Sequence, residues 1–202
     1  MDLMAMIVRH GDTFDASEAV RRIGARTDLP LVASGLDQAR ALGAAFATQG
    51  LTFERALAAP LLRTRSTIQE ILAHQPRAPA VESVDWLTEI DHGLDEGMPE
   101  SRVIARIGQD AIAAWDAEAL APDSWIVDAD KRTRGWSGLW REGHGHVLIV
   151  TSNGAARFAL LSNEALRNQA SRLASLKLRT GAYGVIARER GALRIIEWDR
   201  RP

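Results

Sequence analysis

Two short stretches of this chain carry no polar side chain at all. Leu3 to Val8 runs straight into Arg9-His10-Gly11, and Val147 to Val150 runs into Thr151-Ser152-Asn153-Gly154. A strand that is apolar on both faces has to be covered on both faces, which is the situation of a central strand in a parallel sheet flanked by helices. The first run has no basic segment ahead of it, and it is too short for a signal peptide or a membrane span. Both runs end abruptly in polar turns, where the carboxyl end of a parallel strand would deliver them.

The segments between the runs alternate in period. Leu36, Ala39, Leu42, Gly43 and Phe46 fall on one face of a helix opened by Ser34 or Gly35 and closed by Gly50. Arg55 to Ala59 is a strand that Pro60 stops, and Leu61 to Ala73 returns to helical spacing. Val81 to Leu87 alternates as a short strand. Ser101 to Leu120 is expected to be one helix capped by Ser101, with Val103, Ile104, Ile107, Ile112 and Trp115 on its apolar face. Residues 121–146 show little pattern, a helix is expected from about Ala155, and Tyr183–Arg188 and Leu193–Trp198 flank a turn as a terminal hairpin. Strand and helix in alternation predict an α/β fold, a three-layer α/β/α sandwich with a largely parallel central sheet, forming a single domain over 1–202.

Composition narrows the chemistry. The 202 residues contain no cysteine, which removes disulfides, thiolate nucleophiles and Cys-ligated metal sites and points to a reducing, cytoplasmic setting. The net charge of −1 and the absence of any basic stretch longer than Lys131 to Arg134 argue against nucleic acid as a partner. Neither G-x-x-x-x-G-K-[ST] nor a post-strand G-x-G-x-x-G occurs, so the common nucleotide loops drop out. His144 and His146 lie close together but lack a third neighbouring ligand, and no metal or cofactor is expected. No membrane partner is expected either, and the oligomeric state is not readable.

Four strings carry a resemblance. IVRHGDT at 7–13, RTDLPLVASGLDQARALG at 26–43, AAPLLRTRST at 58–67 and LTEIDHG at 87–93 occur in the order of the histidine phosphatase superfamily, the phosphoglycerate-mutase-like proteins, with a fifth match at Val150 to Arg157. The chain resembles that family over most of its length. The resemblance implies that His10 is a nucleophile taking a phosphoryl group on a ring nitrogen, that Arg9 and Arg63 hold the phosphate, and that Glu89 is the general acid. These roles suit the residue types: a transferring phosphoryl group needs an in-line nucleophile and forked positive donors around its oxygens. For acid work Glu89 is expected to have a raised pKa, supplied by burial and by Asp91 nearby. Arg65, two residues past Arg63, is the competing arginine.

One departure stands out. The family's second histidine follows the serine after the second apolar strand, and here that position is Asn153. Asn153 and the amide of Gly154 are expected to contact phosphate still, with weaker charge stabilisation; one lost donor costs about 3–4 kcal/mol in rate. His92 could swing in to replace the missing ring. Ala16 stands where the family's mutases carry asparagine, and Tyr183 is the only tyrosine, which argues against phosphoglycerate mutase. The expected function is hydrolysis of a phosphate monoester, on a small phosphorylated substrate or a phosphoprotein, through a phosphohistidine on His10. The alternative is a weak or inactive phosphate-binding regulatory protein on the same scaffold. Trp125, Trp136 and Trp140 are read as core or lid packing in preference to a substrate pocket.

Overall fold

In the computed structural model, which describes residues 2–202, the two apolar runs lie side by side. Strand β1 (Leu3–Arg9) and strand β4 (Gly145–Thr151) are parallel partners from Leu3 opposite Gly145 to Arg9 opposite Thr151. That register sets the two polar turns next to each other at one edge, and it follows from burial: a slip by one residue would turn every side chain to the wrong face.

Strand β2 (Arg55–Ala58) extends the parallel array beside β4, and β3 (Val81–Ser83) lies outside it. On the other side β5 (Tyr183–Glu189) pairs antiparallel with β1 and with β6 (Ala192–Arg200), giving the order β3-β2-β4-β1-β5-β6. Only β5 runs against the rest.

Alternate residues of β1 feed two cores. Met6 and Val8 pack under α1 (Ala33–Thr48) and α2 (Leu62–Leu72) with Leu42, Phe46, Ile68 and Ile71. Leu3, Ala5 and Ile7 face the opposite layer, where Trp115, Trp136, Phe158 and Leu166 lie. Each Val, Leu, Ile, Met or Phe among these stabilises the fold by about 1.5–3 kcal/mol of transfer free energy. The sheet between two helical layers is the predicted sandwich.

The second layer departs from the sequence reading in detail. The helix expected over 101–120 is two, α3 (Glu100–Ile107) and α4 (Gln109–Glu118), broken at Gly108, whose φ of 87° is open to glycine and costly for other residues. Pro99, not Ser101, stands at its N-cap. The strand expected over 81–87 ends at Ser83, and a 3-10 turn, Asp85–Leu87, takes its second half. Within the unpatterned 121–146 segment lies α5 (Ala129–Glu142), capped by the Asp128 carboxylate accepting from the Lys131 N–H. The helix expected near Ala155 is α6 (Asn153–Leu161), and α7 (Glu164–Ala170) follows it.

Trp136 and Trp140 stack with centroids 5.4 Å apart and are buried, so they belong to the core. Among the described residues no helix is long and apolar enough to cross a membrane.

Candidate active site

A cleft of about 620 Å³ opens at the carboxyl ends of β1 and β4, and Arg9, His10, Glu89, His92, Asn153 and Gly154 all line it. Its position is where an open α/β sheet holds ligands.

His10 leaves β1 as a buried residue whose main chain is pinned on three sides. Its N–H donates to the Thr151 carbonyl, its own carbonyl accepts from the Gly181 N–H, and the next residue, Gly11, donates to the Thr67 hydroxyl of α2 at 3.1 Å. Gly11 has to be glycine for a steric reason, because a Cβ there would run into the main chain of Gly35 at the start of α1. The His10 Nδ1 lies 2.8 Å from the Gly11 carbonyl. A carbonyl only accepts, so Nδ1 carries the proton. Burial first, then the charges of Arg63 and Arg9, hold the ring's pKa well below its ordinary value. The resting ring is therefore neutral with a bare Nε2.

Arg9 lines the cleft, with one terminal nitrogen donating to the Leu178 carbonyl at 2.7 Å and a buried Nε without a partner. Arg63 is fully buried in the first turn of α2 and is not a wall of the cleft. Its fork donates to the carbonyls of Thr27 at 2.6 Å and Gly24 at 3.1 Å, so it backs the cleft through the loop at 24–27. Arg65 is exposed.

Glu89 follows the 3-10 turn and is 7% exposed. One oxygen accepts from the Ile90 N–H at 2.9 Å, and the other accepts from the Gly154 N–H at 3.1 Å. The Gly154 amide expected to touch phosphate thus holds Glu89 instead. Burial alone would raise the carboxyl's pKa, but the His92 charge, these two amides and Arg63 outweigh it and hold it below the usual range. This corrects the expectation of a raised value. Asp91, expected to help raise it, is turned to Arg26, 3.0 Å away. Glu89 is also the leading opposing charge that keeps Arg9, Arg63, Arg132 and Arg157 protonated against their burial. One carboxylate thus serves as counter-ion to a shell of buried guanidinium groups.

Asn153 opens α6, and its side-chain oxygen accepts from the Leu178 N–H at 2.9 Å. With the oxygen occupied, the amide nitrogen is the donor left for a ligand.

Several residues of the site were not singled out in sequence. Arg157, one helical turn past Asn153, is fully buried, sits 4.3 Å over the Trp115 ring and donates to the Trp115 carbonyl. Burial pushes its pKa down to about 10. Its spacing from Asn153 was the available signal. Arg22 and Lys177 also line the cleft, paired with Glu100 and Asp116 at 2.5 Å each, and their carboxylates are too distant in sequence to pair by inspection. No group of three or more His, Cys, Asp or Glu side chains placed to hold a metal occurs among the described residues.

The profile of the histidine phosphatase superfamily (branch 1) matches residues 5–201. The chain belongs to the histidine phosphatase superfamily. Among its relatives, a 2,3-bisphosphoglycerate-dependent phosphoglycerate mutase of Rhizobium etli is 30% identical over 119 residues, 58% of this chain and 56% of the mutase. The corresponding mutase of Borreliella burgdorferi is 26% identical over 128 residues, 63% of this chain and 51% of the other. The chain thus spans about half the length of the curated relatives it matches. In three dimensions it is similar to the alpha-ribazole phosphatase of Shigella flexneri, with a TM-score of 0.74, 20% identity and coverage of 98% and 96% of the two chains. A mycobacterial glucosyl-3-phosphoglycerate phosphatase gives 0.77, at 18% identity and 97% and 98% coverage. At these identities the superpositions show the shared phosphoglycerate-mutase-like fold of the superfamily.

Proposed function

We propose that the chain is a phosphate monoester hydrolase that passes the phosphoryl group through Nε2 of His10. The observation that carries this reading is the Nδ1 contact to the Gly11 carbonyl at 2.8 Å, which leaves the lone pair on the other ring nitrogen of a buried, neutral imidazole lining the cleft. In the first half-reaction Nε2 bonds to phosphorus, the bond from phosphorus to the ester oxygen breaks with its electron pair staying on that oxygen, and the oxygen takes a proton that Glu89 binds as the phosphate dianion enters the cleft. In the second, water attacks phosphorus, the P–N bond breaks, and inorganic phosphate departs. Splitting the reaction in this way replaces one difficult step with two easier ones.

Arg9 and Arg63 supply positive charge beside the nucleophile, and Asn153 offers an amide donor where the family has a second imidazole. Glu89 is the buried carboxylate among the four acids of the cleft, which are Asp12, Glu89, Glu100 and Asp116. At rest it is ionised, the form that takes a proton from attacking water. Gly154 acts through Glu89. The cleft volume suits a small phosphorylated metabolite.

The test is turnover of 4-nitrophenyl phosphate by the wild type, His10→Ala and Asn153→His. The wild type turns over slowly, His10→Ala not at all, and Asn153→His about 10-fold faster, a fraction of what one preorganised donor is worth. Activity surviving in His10→Ala would refute the covalent route.

A further inference from the structure

The loop ahead of β5 is tied at both ends to residues of the nucleophile's surroundings. Arg9 donates to the Leu178 carbonyl at 2.7 Å and Asn153 accepts from the Leu178 N–H at 2.9 Å, so two side chains of the cleft grip one residue from either side. Further on, the Gly181 N–H donates to the His10 carbonyl at 3.2 Å, and the Ala182 carbonyl accepts from the Arg9 N–H at 3.0 Å. Between these anchors Arg179 and Thr180 lie along the cleft and line it. Arg201, just past β6, joins the same wall, its Nη2 donating to the Thr180 carbonyl at 2.9 Å.

The backbone is distorted to keep Arg179 in place. Asp199, inside β6, has a φ of 60°, a left-handed conformation that costs a residue with a side chain. The pairing of β5 with β6 shifts register nearby, between Tyr183 and Val185. Such irregularities re-aim side chains beside active sites. Here the Asp199 carboxylate accepts from the Arg179 N–H and from its Nε at 2.7 Å each, and the Asp199 carbonyl accepts from its Nη2 at 2.9 Å. Nη1 of Arg179 keeps no partner among the described residues, and the side chain is 57% exposed. Arg201 has no carboxylate partner among the described residues, so one acid serves two guanidinium groups. The other acids of the cleft are engaged elsewhere: Arg22 holds Glu100 and Lys177 holds Asp116, at 2.5 Å each, and Asp12 accepts from Gln38 at 2.7 Å. This rim has positive charge to spare.

We infer that Arg179 and Arg201 form a subsite for a second anionic group on the alcohol part of the ester, a carboxylate or a further phosphate. The inference rests on the phosphate ester hydrolase reading above and narrows its substrate to small molecules anionic at both ends. A guanidinium fork matches the oxygens of either anion. Arg179 stands two residues from Gly181, so its Cα is at most about 7 Å from that of the residue bonded to the His10 carbonyl. A short alcohol therefore reaches from the nucleophile to this rim. A neutral alcohol gains nothing from the two arginines and an amine is repelled by them, which makes the rim a selector as well as an anchor.

The test measures kcat/KM on four esters built on one three-carbon frame: propyl phosphate, 3-(phosphonooxy)propanoate, 1,3-propanediol bisphosphate and 3-aminopropyl phosphate. The wild type is expected to favour the carboxylate or the bisphosphate over propyl phosphate by about 10- to 100-fold, mainly through KM, as a hydrogen bond to a charged group allows. Whichever of the two gains more identifies the second anion. Arg179→Gln and Arg201→Gln are each expected to cut that preference about 10-fold. Arg201→Glu is expected to turn it toward 3-aminopropyl phosphate, a reversal that a merely structural arginine would not produce. Where Arg179→Gln fails to fold, as read by urea denaturation, the Arg201 substitutions decide, since they remove only one exposed bond. A wild type without preference among the esters, or a preference that survives both glutamine substitutions, would overturn the inference. Turnover of 4-nitrophenyl phosphate separates the two readings. Where the wild type cleaves it through His10 but shows no preference for a second anion, only the subsite fails; where it cleaves no ester at all, the hydrolase reading fails and the inference falls with it.

Discussion

Replacing Gly154 with alanine separates the demands of the helix from the demands of the site. Gly154 lies within α6 and is not among the positive-φ glycines, so alanine there would favour the helix by about 0.5–1 kcal/mol. Against this, the new Cβ would overlap the Oε1 of Glu89 and stand 3.3 Å from Ile90 Cγ1. Moving Glu89 breaks its 3.1 Å bond to the Gly154 N–H. A hydrogen bond to a charged group is worth about 1.5–3 kcal/mol, and overpacking adds about 1–3 kcal/mol. The net destabilisation is about 2–5 kcal/mol, read as a lower urea midpoint at unchanged slope. A catalytic group displaced by an ångström costs about 100-fold in kcat. The decisive comparison is the same substitution in a Glu89→Ala background, where the obstacle is gone and Gly154→Ala costs nothing or stabilises. An equal penalty in both backgrounds would refute the reasoning, because the cost would then have no connection with Glu89.

Asn153→Ala removes the acceptor of the Leu178 N–H, and a buried donor left unpaired costs about 1–3 kcal/mol, measurable by urea denaturation. Arg157→Leu leaves the Trp115 carbonyl without its guanidinium donor, for a loss of similar size, about 1–3 kcal/mol, with a change in tryptophan fluorescence as the cation leaves the indole face. Because the folded-state pKa values of both His10 and Glu89 are depressed, the unfolded chain binds protons more readily than the folded one. Stability is therefore full above the unfolded histidine value near 6.5 and falls as pH drops below it, and His10→Asn flattens the upper part of that slope.

The sheet was legible because burial on both faces leaves an unbroken apolar run, and the runs at Leu3–Val8 and Val147–Val150 have no polar residue to obscure them. The helix α1 was legible because one apolar stripe faces α2 and the sheet. The break at Gly108 was not, since glycine is tolerated inside helices and only the tertiary path of the chain requires its positive φ. The strand read through Leu87 failed because three exposed residues cannot fix an edge strand, and Leu87 is instead buried in the core at the end of the 3-10 turn. For the site, the family resemblance of the matched strings placed His10, Arg9, Glu89 and Asn153 around the cleft, while Arg63, expected at the phosphate as well, lies buried behind its wall. What they could not convey is how each donor is used. The Gly154 amide is taken by a carboxylate 65 residues away. The proton affinity of Glu89 is decided by which of burial, amides and cations wins, a balance settled only by the packed structure.

The most direct measurement is acid-quench-free trapping of the enzyme with a ³²P-labelled phosphate ester, followed by peptide mapping in alkali, where a phosphoryl group on a ring nitrogen survives. Label confined to the peptide containing His10, absent from His10→Ala and chased by water at the rate of steady-state turnover, is the predicted result. Turnover of the ester with no label on that peptide would contradict the account.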